Sequence, residues 1–180
     1  FAVTGEFRYL EPGFAGQAML DLLPYDRVAE RTRWWTTWAH EGRLQPGTLY
    51  SLNLERVSDD DWWNDFPRRH QALTPRLLPL TAQVLHDFRP GDSALEVYAR
   101  TQRWQLLQAP DVMDAPFDRS LQLGVRSLGA LPAGLEYALE AEANRFELPS
   151  NPGYLPPQAP PGDGSRLHAQ GWFSRPWRQP

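Results

Sequence analysis

At 180 residues, 41% of them hydrophobic, the chain is long enough for one domain with a core, yet its mean hydropathy of -0.56 is clearly polar. A net charge of -4 and the absence of any Lys/Arg block argue against a nucleic-acid surface. The lack of cysteine excludes a disulfide framework, a thiolate metal site and a cysteine nucleophile within these residues.

Aromatics make up 12% of the residues, with 8 Trp, which fits strands that are wet on one face and aromatic at their ends. No run approaches the roughly 18 apolar residues of a membrane helix. The sequence opens inside a strand-like pattern at Phe1, without an initiating Met or a signal peptide, and reads as a segment of a longer chain.

In chain order the apolar period is 2 rather than 3.6, the mark of strands. Phe1, Val3, Phe7 and Tyr9 fall on one side, with Thr4, Glu6 and Arg8 on the other, up to a turn at Glu11-Pro12-Gly13. Phe14, Ala18, Leu20 and Leu22 then share a face opposite Gln17 and Asp21, and Pro24 to Thr32 reads as a long polar connection. Arg33 to Glu41 is strand-like, but Trp34 and Trp38 point one way and Trp35 the other, which leaves its register open.

Gly42 to Gly47 is expected to turn the chain. Tyr50, Leu52 and Leu54 alternate with Ser51, Asn53 and Glu55, and a long loop is expected from Glu55 to about Leu73. Leu78, Leu80, Ala82 and Val84 resume the pattern, with Pro79 as its irregularity, before a tight turn at Arg89-Pro90-Gly91-Asp92. Leu95, Val97 and Ala99 alternate with Glu96, Arg100 and Gln102, and a loop follows at Ala109 to Pro116.

Leu121, Leu123 and Val125 alternate with Gln122 and Arg126, and Leu131 to Gly134 is short. The clearest strand sets Leu135, Tyr137, Leu139, Ala141 and Ala143 against Glu136, Glu140, Glu142 and Asn144. A proline-rich loop spans Asn151 to Gly164, and a last strand holds Leu167, Ala169 and Phe173.

Connections thus alternate short and long, and strands of roughly 9–12 residues with this alternation predict an all-β fold, an antiparallel transmembrane β-barrel segment of about nine strands of a larger barrel. A soluble sandwich has shorter strands and no such loop asymmetry. Burying Glu136, Glu140 and Glu142 in a dry core is too costly without partners. The candidate lumen-facing residues are therefore Glu6, Arg8, Glu96, Arg100, Gln122, Arg126, Glu136, Glu140 and Glu142.

Chemical motifs are few. Asp59, Asp60, Asp61 and Asp65 lack the glycine and terminal glutamate of an EF-hand loop and read as a solvated acidic loop rather than a cation site. Trp62, Trp63 and Phe66 read as a membrane-rim or loop-packing group. The four histidines show no metal spacing and the serines no nucleophile elbow, so neither an enzyme nor a bound cofactor is expected. The glutamates of the clearest strand read as lumen lining rather than an acid/base pair. Arg8, Arg100 and Arg126 either meet lipid phosphates or neutralise those glutamates.

Several runs resemble one family. Gly5-Glu6-Phe7-Arg8-Tyr9-Leu10 is followed by Leu20-Asp21-Leu22-Leu23-Pro24-Tyr25-Asp26-Arg27, with Leu23 where the family usually has Tyr. Val57-Ser58-Asp59-Asp60-Asp61-Trp62-Trp63-Asn64-Asp65-Phe66 is similar to a VSDxxYFxDF motif, and Arg103-Trp104-Gln105-Leu106-Leu107-Gln108 to an RxQxLQ strand end. Phe117-Asp118-Arg119-Ser120-Leu121-Gln122-Leu123 is similar to a YDRLPQL run, from which Ser120 and Leu121 depart. In this order the motifs resemble the barrel of the LptD family of LPS-assembly outer-membrane proteins, from about Thr4 to the end.

The resemblance implies a partial barrel domain over residues 1–180, placed in the cell outer membrane and surrounded by outer-membrane lipid. It implies delivery of lipopolysaccharide to the outer leaflet, with the lipoprotein LptE as plug and LptA as a partner through a periplasmic domain outside this chain. Asp59, Asp60, Asp61, Trp62, Trp63, Asp65 and Phe66 would then lie on an external loop, and the segment would form wall rather than lateral gate. The alternatives left by the residues alone are a porin-like channel and a soluble β-sheet module presenting the Trp-rich loop.

Overall fold

The structure, a computed structural model, describes residues 1–66, 77–107, 116–148 and 162–175. Among these residues nine strands follow one another: β1 (Val3–Glu11), β2 (Phe14–Asp26), β3 (Arg31–Gln45), β4 (Thr48–Val57), β5 (Leu77–Phe88), β6 (Ala94–Leu106), β7 (Asp118–Leu131), β8 (Leu135–Glu147) and β9 (Gly164–Ser174). Each pairs antiparallel with the next, so the spatial order is the chain order and the sheet is a plain meander. A short helix, α1 (Trp62–Asp65), lies between β4 and β5. The fold is all-β and antiparallel, consistent with a segment of a β-barrel. Among the described residues no helix is long and apolar enough to cross a membrane.

Directly opposed residues in a sheet share a side, and side chains alternate along each strand. The register therefore sorts the whole sheet into two faces. One carries rows such as Phe7, Ala18, Trp38, Leu54 and Leu80, or Val84, Ala99, Leu123, Ala143 and Leu167. The opposite face carries Gln83, Arg100, Gln122, Asn144 and Arg166, and beside them Asp87, Glu96, Arg126, Glu140 and Gln170.

Among the described residues no second layer covers the apolar face: Phe7 is 65% exposed, Leu123 48% and Leu139 43%. Water-soluble domains bury such a face against another sheet or helices. Among the described residues the hydrophobic cluster of buried side chains, Trp35, Val57, Trp62, Trp63, Leu78 and Leu107, sits at the rim beside α1.

The alternation of short and long connections holds from β3 onward but fails at the β2–β3 join, residues 27–30, which is shorter than the β5–β6 turn of residues 89–93. On one edge the joins are residues 12–13, 46–47, 89–93 and 132–134; on the other they are 27–30, 58–76, 107–117 and 148–163. The connection expected from Pro24 to Thr32 is mostly strand. β2 continues through Pro24 and Tyr25 to Asp26, and a register shift between Leu23 and Asp26 absorbs the proline as a bulge. Only Arg27 to Glu30 turn, with Glu30 in the left-handed region at φ 53.

β3 also outruns its expected end at Glu41. Gly42 lies within it, opposite Phe14 and Tyr50, and the turn shrinks to Pro46-Gly47. Gly47 has φ 81, and a Cβ there would stand 2.9 Å from the Asp87 carbonyl oxygen, so both conformation and space call for glycine. The long loop starts at Ser58 rather than Glu55. Pro79 is paired with Trp104 on the β6 side, while the ladder to β4 ends one residue earlier at Leu54↔Leu80. An imide nitrogen without a proton is tolerated beside that unladdered side. The rest of the loop towards Leu73, and most of the connections Ala109 to Pro116 and Asn151 to Gly164, lie outside the described residues.

Candidate functional site

All nine candidates Glu6, Arg8, Glu96, Arg100, Gln122, Arg126, Glu136, Glu140 and Glu142 fall on the polar face. They form cross-strand groups rather than one site. The Arg126 guanidinium bridges Glu96 at 3.2 Å and Glu140 at 3.3 Å, and Gln170 donates to Glu140 at 3.1 Å. These residues lie in one row across β6 to β9, so a single perpendicular row carries the alternating charges. Glu142 accepts from Gln122 at 2.8 Å, Asn144 at 3.0 Å and Arg166 at 3.0 Å.

Arg100 donates to Gln83 at 3.0 Å, and Ser174 reaches Glu136 at 3.5 Å. Glu6 and Arg8 pair with each other far from this network, on β1, with Gln17 donating to Glu6 at 2.8 Å. Gly124 lets the Tyr98 ring lie across the strand pair, since a Cβ there would stand 2.1 Å from the ring, and Arg126 stacks 5.0 Å from that ring's centre. Exposed pairs of this kind stabilise by only about 0.2–1 kcal/mol each. Of the three arginines, Arg126 pairs with Glu96 and Glu140, Arg8 pairs with Glu6, and Arg100 donates to Gln83.

The rim at α1 differs. Here the sequence expectation of a solvated acidic loop is corrected. Asp59 is buried, not solvated, and accepts two bonds from the Arg33 guanidinium, at 3.0 Å from Nε and 2.7 Å from Nη2. Arg33, 2% exposed, also donates to Asp26 at 3.1 Å and to Asp65 at 2.6 Å. Burial pushes the Asp59 carboxyl up, but the Arg33 and Ser58 hydrogen bonds outweigh it and hold the group below the usual carboxylate range. Asp60 and Asp61 are exposed as expected.

Trp62 and Trp63 are buried and take part in loop packing. Trp63 meets Trp35 edge-on at 6.1 Å, and Trp62 and Phe66 pack at 4.6 Å. Arg33 lies 5.8 Å from the Trp62 ring centre and 5.0 Å from that of Phe66, so its faces are aromatic while its edges are carboxylate. This resolves the open register of β3: Trp34 and Trp38 take the apolar face, and Trp35 goes under α1 with Arg33.

Sequence reasoning missed Arg33, Asp26 and Gln105. Gln105 from β6 accepts from the Val57 N–H at 3.2 Å and donates to the Val57 carbonyl at 2.9 Å, standing in for the β4–β5 ladder where it has ended. It also missed a brace on the apolar face, where His40 meets the Tyr9 hydroxyl at 2.7 Å and the Tyr50 hydroxyl at 2.9 Å, and Trp38 donates to Tyr9 at 3.0 Å. The signals lay in the cross-strand pairs Tyr9↔Gly16 and Gly42↔Tyr50, where glycine leaves room for a ring to lean over the backbone.

With these features in place, comparison with known proteins is decisive. The family model described as LptD, LPS transport system D, matches residues 31–180. The chain belongs to the LptD family. It is similar to LPS-assembly protein LptD of Albidiferax ferrireducens, with 35% identity covering 97% of this chain and 22% of that protein. LPS-assembly protein LptD of Polaromonas sp. and of Paracidovorax citrulli are each 33% identical over 99% of the chain and 22% of their own length. The chain thus spans about a fifth of these LptD relatives. All of β3 and every later strand lie in the LptD match, and the relatives extend it over β1 and β2.

Proposed function

We propose that these residues form part of the wall of an outer-membrane barrel that delivers lipopolysaccharide to the outer leaflet, as a partial barrel domain of a longer LptD-family protein. The single observation that carries this is the two-sided, single-layer sheet: a continuous uncovered apolar face backs a continuous ion-paired one. A bilayer outside and water inside satisfy both faces at once. The strands, of 9 to 15 residues, are long enough for a tilted span of about 9–11 residues. Family membership supplies the cargo, since the relatives are named LPS-assembly proteins.

In this reading Glu96, Arg126, Glu140 and Glu142 line the lumen, and the edge with the long connections, including α1, faces outward. β1 and β9 leave edges that hydrocarbon does not tolerate open, so further strands of the parent continue the wall. LptE is the partner expected inside the barrel, and LptA the one expected at the periplasmic domain. The work is transport through a shaped polar interior, without covalent chemistry.

The test is depletion of the full-length protein in its own cells, with lipopolysaccharide at the surface followed by an impermeant label. New lipopolysaccharide should stop reaching the outer leaflet and accumulate inside. Undiminished arrival at the surface overturns the proposal.

A further inference from the structure

We propose that the apolar face carries a seat for one phospholipid headgroup at its short-connection edge. Tyr9, His40 and Tyr50 hold the phosphate and Glu11 the ammonium of a phosphoethanolamine in the periplasmic-side leaflet. This rests on the reading of the apolar face as the lipid side of the wall and names a ligand for one patch of it.

Two glycines make room for the patch. Tyr9 on β1 lies across Gly16 of β2, where a Cβ would stand 2.2 Å from its hydroxyl. Tyr50 on β4 lies across Gly42 of β3, where a Cβ would stand 2.6 Å from its hydroxyl. The two rings reach His40 from either side, its Nδ1 meeting the Tyr9 hydroxyl at 2.7 Å and its Nε2 the Tyr50 hydroxyl at 2.9 Å. Trp38 stacks on His40 at 5.8 Å and donates its indole N–H to the Tyr9 hydroxyl at 3.0 Å. Phe14 stands at the turn side, 6.1 Å from Tyr9 and 5.8 Å from His40.

The hydrogen count leaves this network open. A neutral imidazole donates from one nitrogen and accepts at the other, so at least one of the two hydroxyls accepts from the ring and keeps its own hydrogen unused. The Trp38 N–H only adds to what Tyr9 accepts. An unused O–H is costly in hydrocarbon. Tyr9, however, stands two residues before the end of β1 and Tyr50 two residues after the start of β4, which is the level of the headgroups. The strongest acceptor at that level is a lipid phosphate, because charge-assisted bonds are roughly twice as strong as neutral ones.

A carboxylate then fixes the class of lipid. Glu11 is exposed, shares the side of Tyr9 and stands opposite Phe14. Among the described residues it forms no hydrogen bond or ion pair. Arg43, beside Gly42, points to the other face with Leu49, so it supplies no cation here. Two residues of strand separate Glu11 from Tyr9, about 6.8 Å towards the turn. Phosphate and then ammonium is the order in which phosphoethanolamine presents its charges, and its two-carbon arm covers that span with a hydrogen bond at each end. Choline carries no N–H for Glu11, and a glycerol headgroup brings no cation.

The experiment uses the full-length protein in nanodiscs, with Phe14→benzoylphenylalanine as a photoreactive probe beside the seat and lipid adducts weighed by mass spectrometry. The bilayer holds equal parts of phosphatidylethanolamine, phosphatidylcholine and a galactolipid without phosphate, all with the same acyl chains. Adducts are taken from the folded band in heat-modifiable migration, and each ratio is divided by that from the same probe at Leu139. Phosphatidylethanolamine should exceed phosphatidylcholine about fivefold, the upper end of what one exposed ion pair contributes. Phosphatidylcholine should exceed the galactolipid about tenfold, as one hydrogen bond to a charged group contributes. Glu11→Gln should remove the first preference, and Tyr9→Phe with Tyr50→Phe the second. Tyr137→Phe, another hydroxyl on this face near the same edge, should change neither.

Equal capture of the three lipids without further substitution overturns the seat. So does an ethanolamine preference that survives Glu11→Gln, or a phosphate preference that survives loss of both hydroxyls. If neither probe captures any lipid, the apolar face does not meet the bilayer and the wall reading itself fails, a result distinct from equal capture.

Discussion

Replacing Leu139 by Arg separates a lipid-facing wall from a wetted one by energy alone. Leu139 lies on the apolar face of β8, opposite Ser127 and Gly171, and is 43% exposed. At a surface position in water such a change is worth within about 0.5 kcal/mol. On the lipid face of a barrel near the bilayer midplane, Arg costs about 2–4 kcal/mol, roughly 30- to 1,000-fold in the folding equilibrium. Its neighbour Glu140 points the other way and holds Arg126 at 3.3 Å and Gln170 at 3.1 Å. Glu140→Ala removes exposed contacts worth about 0.2–1 kcal/mol. The assay is equilibrium denaturant titration of the full-length protein with lipid vesicles, the fold followed by heat-modifiable migration. Equal, small costs at both positions refute the assignment of the apolar face to lipid.

Gly16→Ala should destabilise by about 1–3 kcal/mol in the same titration, because its Cβ would stand 2.2 Å from the Tyr9 hydroxyl and force the ring off His40. Combined with Tyr9→Ala the cost should largely vanish, and strict additivity would rule out the steric cause. Gln105→Ala should cost about 1–3 kcal/mol and speed hydrogen exchange at the Val57 amide, since the buried N–H and carbonyl of Val57 lose their partner together; unchanged exchange contradicts the bridging role. The attachment of the α1 loop should weaken with acid. Asp59 is held below its usual range, so its stabilisation is complete above about pH 4 and fades as pH falls further, read as a lengthening of the distance between labels at Asn64 and Asn53. Weakening that begins well above pH 5 points to another group.

The strands were legible because alternation is a local signal. From Leu135 to Asn144 in β8 every second residue is Leu, Tyr or Ala and the residues between are Glu or Asn except Ala138, and the register sets Glu140 in line with Arg126 and Gln170 and Asn144 in line with Arg166. The family was legible for a different reason, the order of several motifs. What stayed hidden depended on partners distant in sequence. Arg33 is unremarkable in its own run, and two of its carboxylates lie 26 and 32 residues away. Trp62 and Trp63 stand in an acidic stretch that reads as solvent-exposed, and only the fold brings Trp35 to cover them. The end of β2 was misjudged because Pro24 is a breaker in a regular strand but not at a bulge.

The central claim, that one face of this sheet meets lipid and the other water, is tested most directly by a nitroxide scan along β8 in the full-length protein in bilayers. Each position from 135 to 147 is probed with oxygen, which concentrates in hydrocarbon, and with a water-soluble nickel chelate. The account predicts a period of two, with oxygen favoured at Leu135, Tyr137, Leu139, Ala141 and Ala143 and the chelate at Glu136, Glu140, Glu142 and Asn144. Chelate access without alternation, or oxygen favoured at the glutamates, contradicts it.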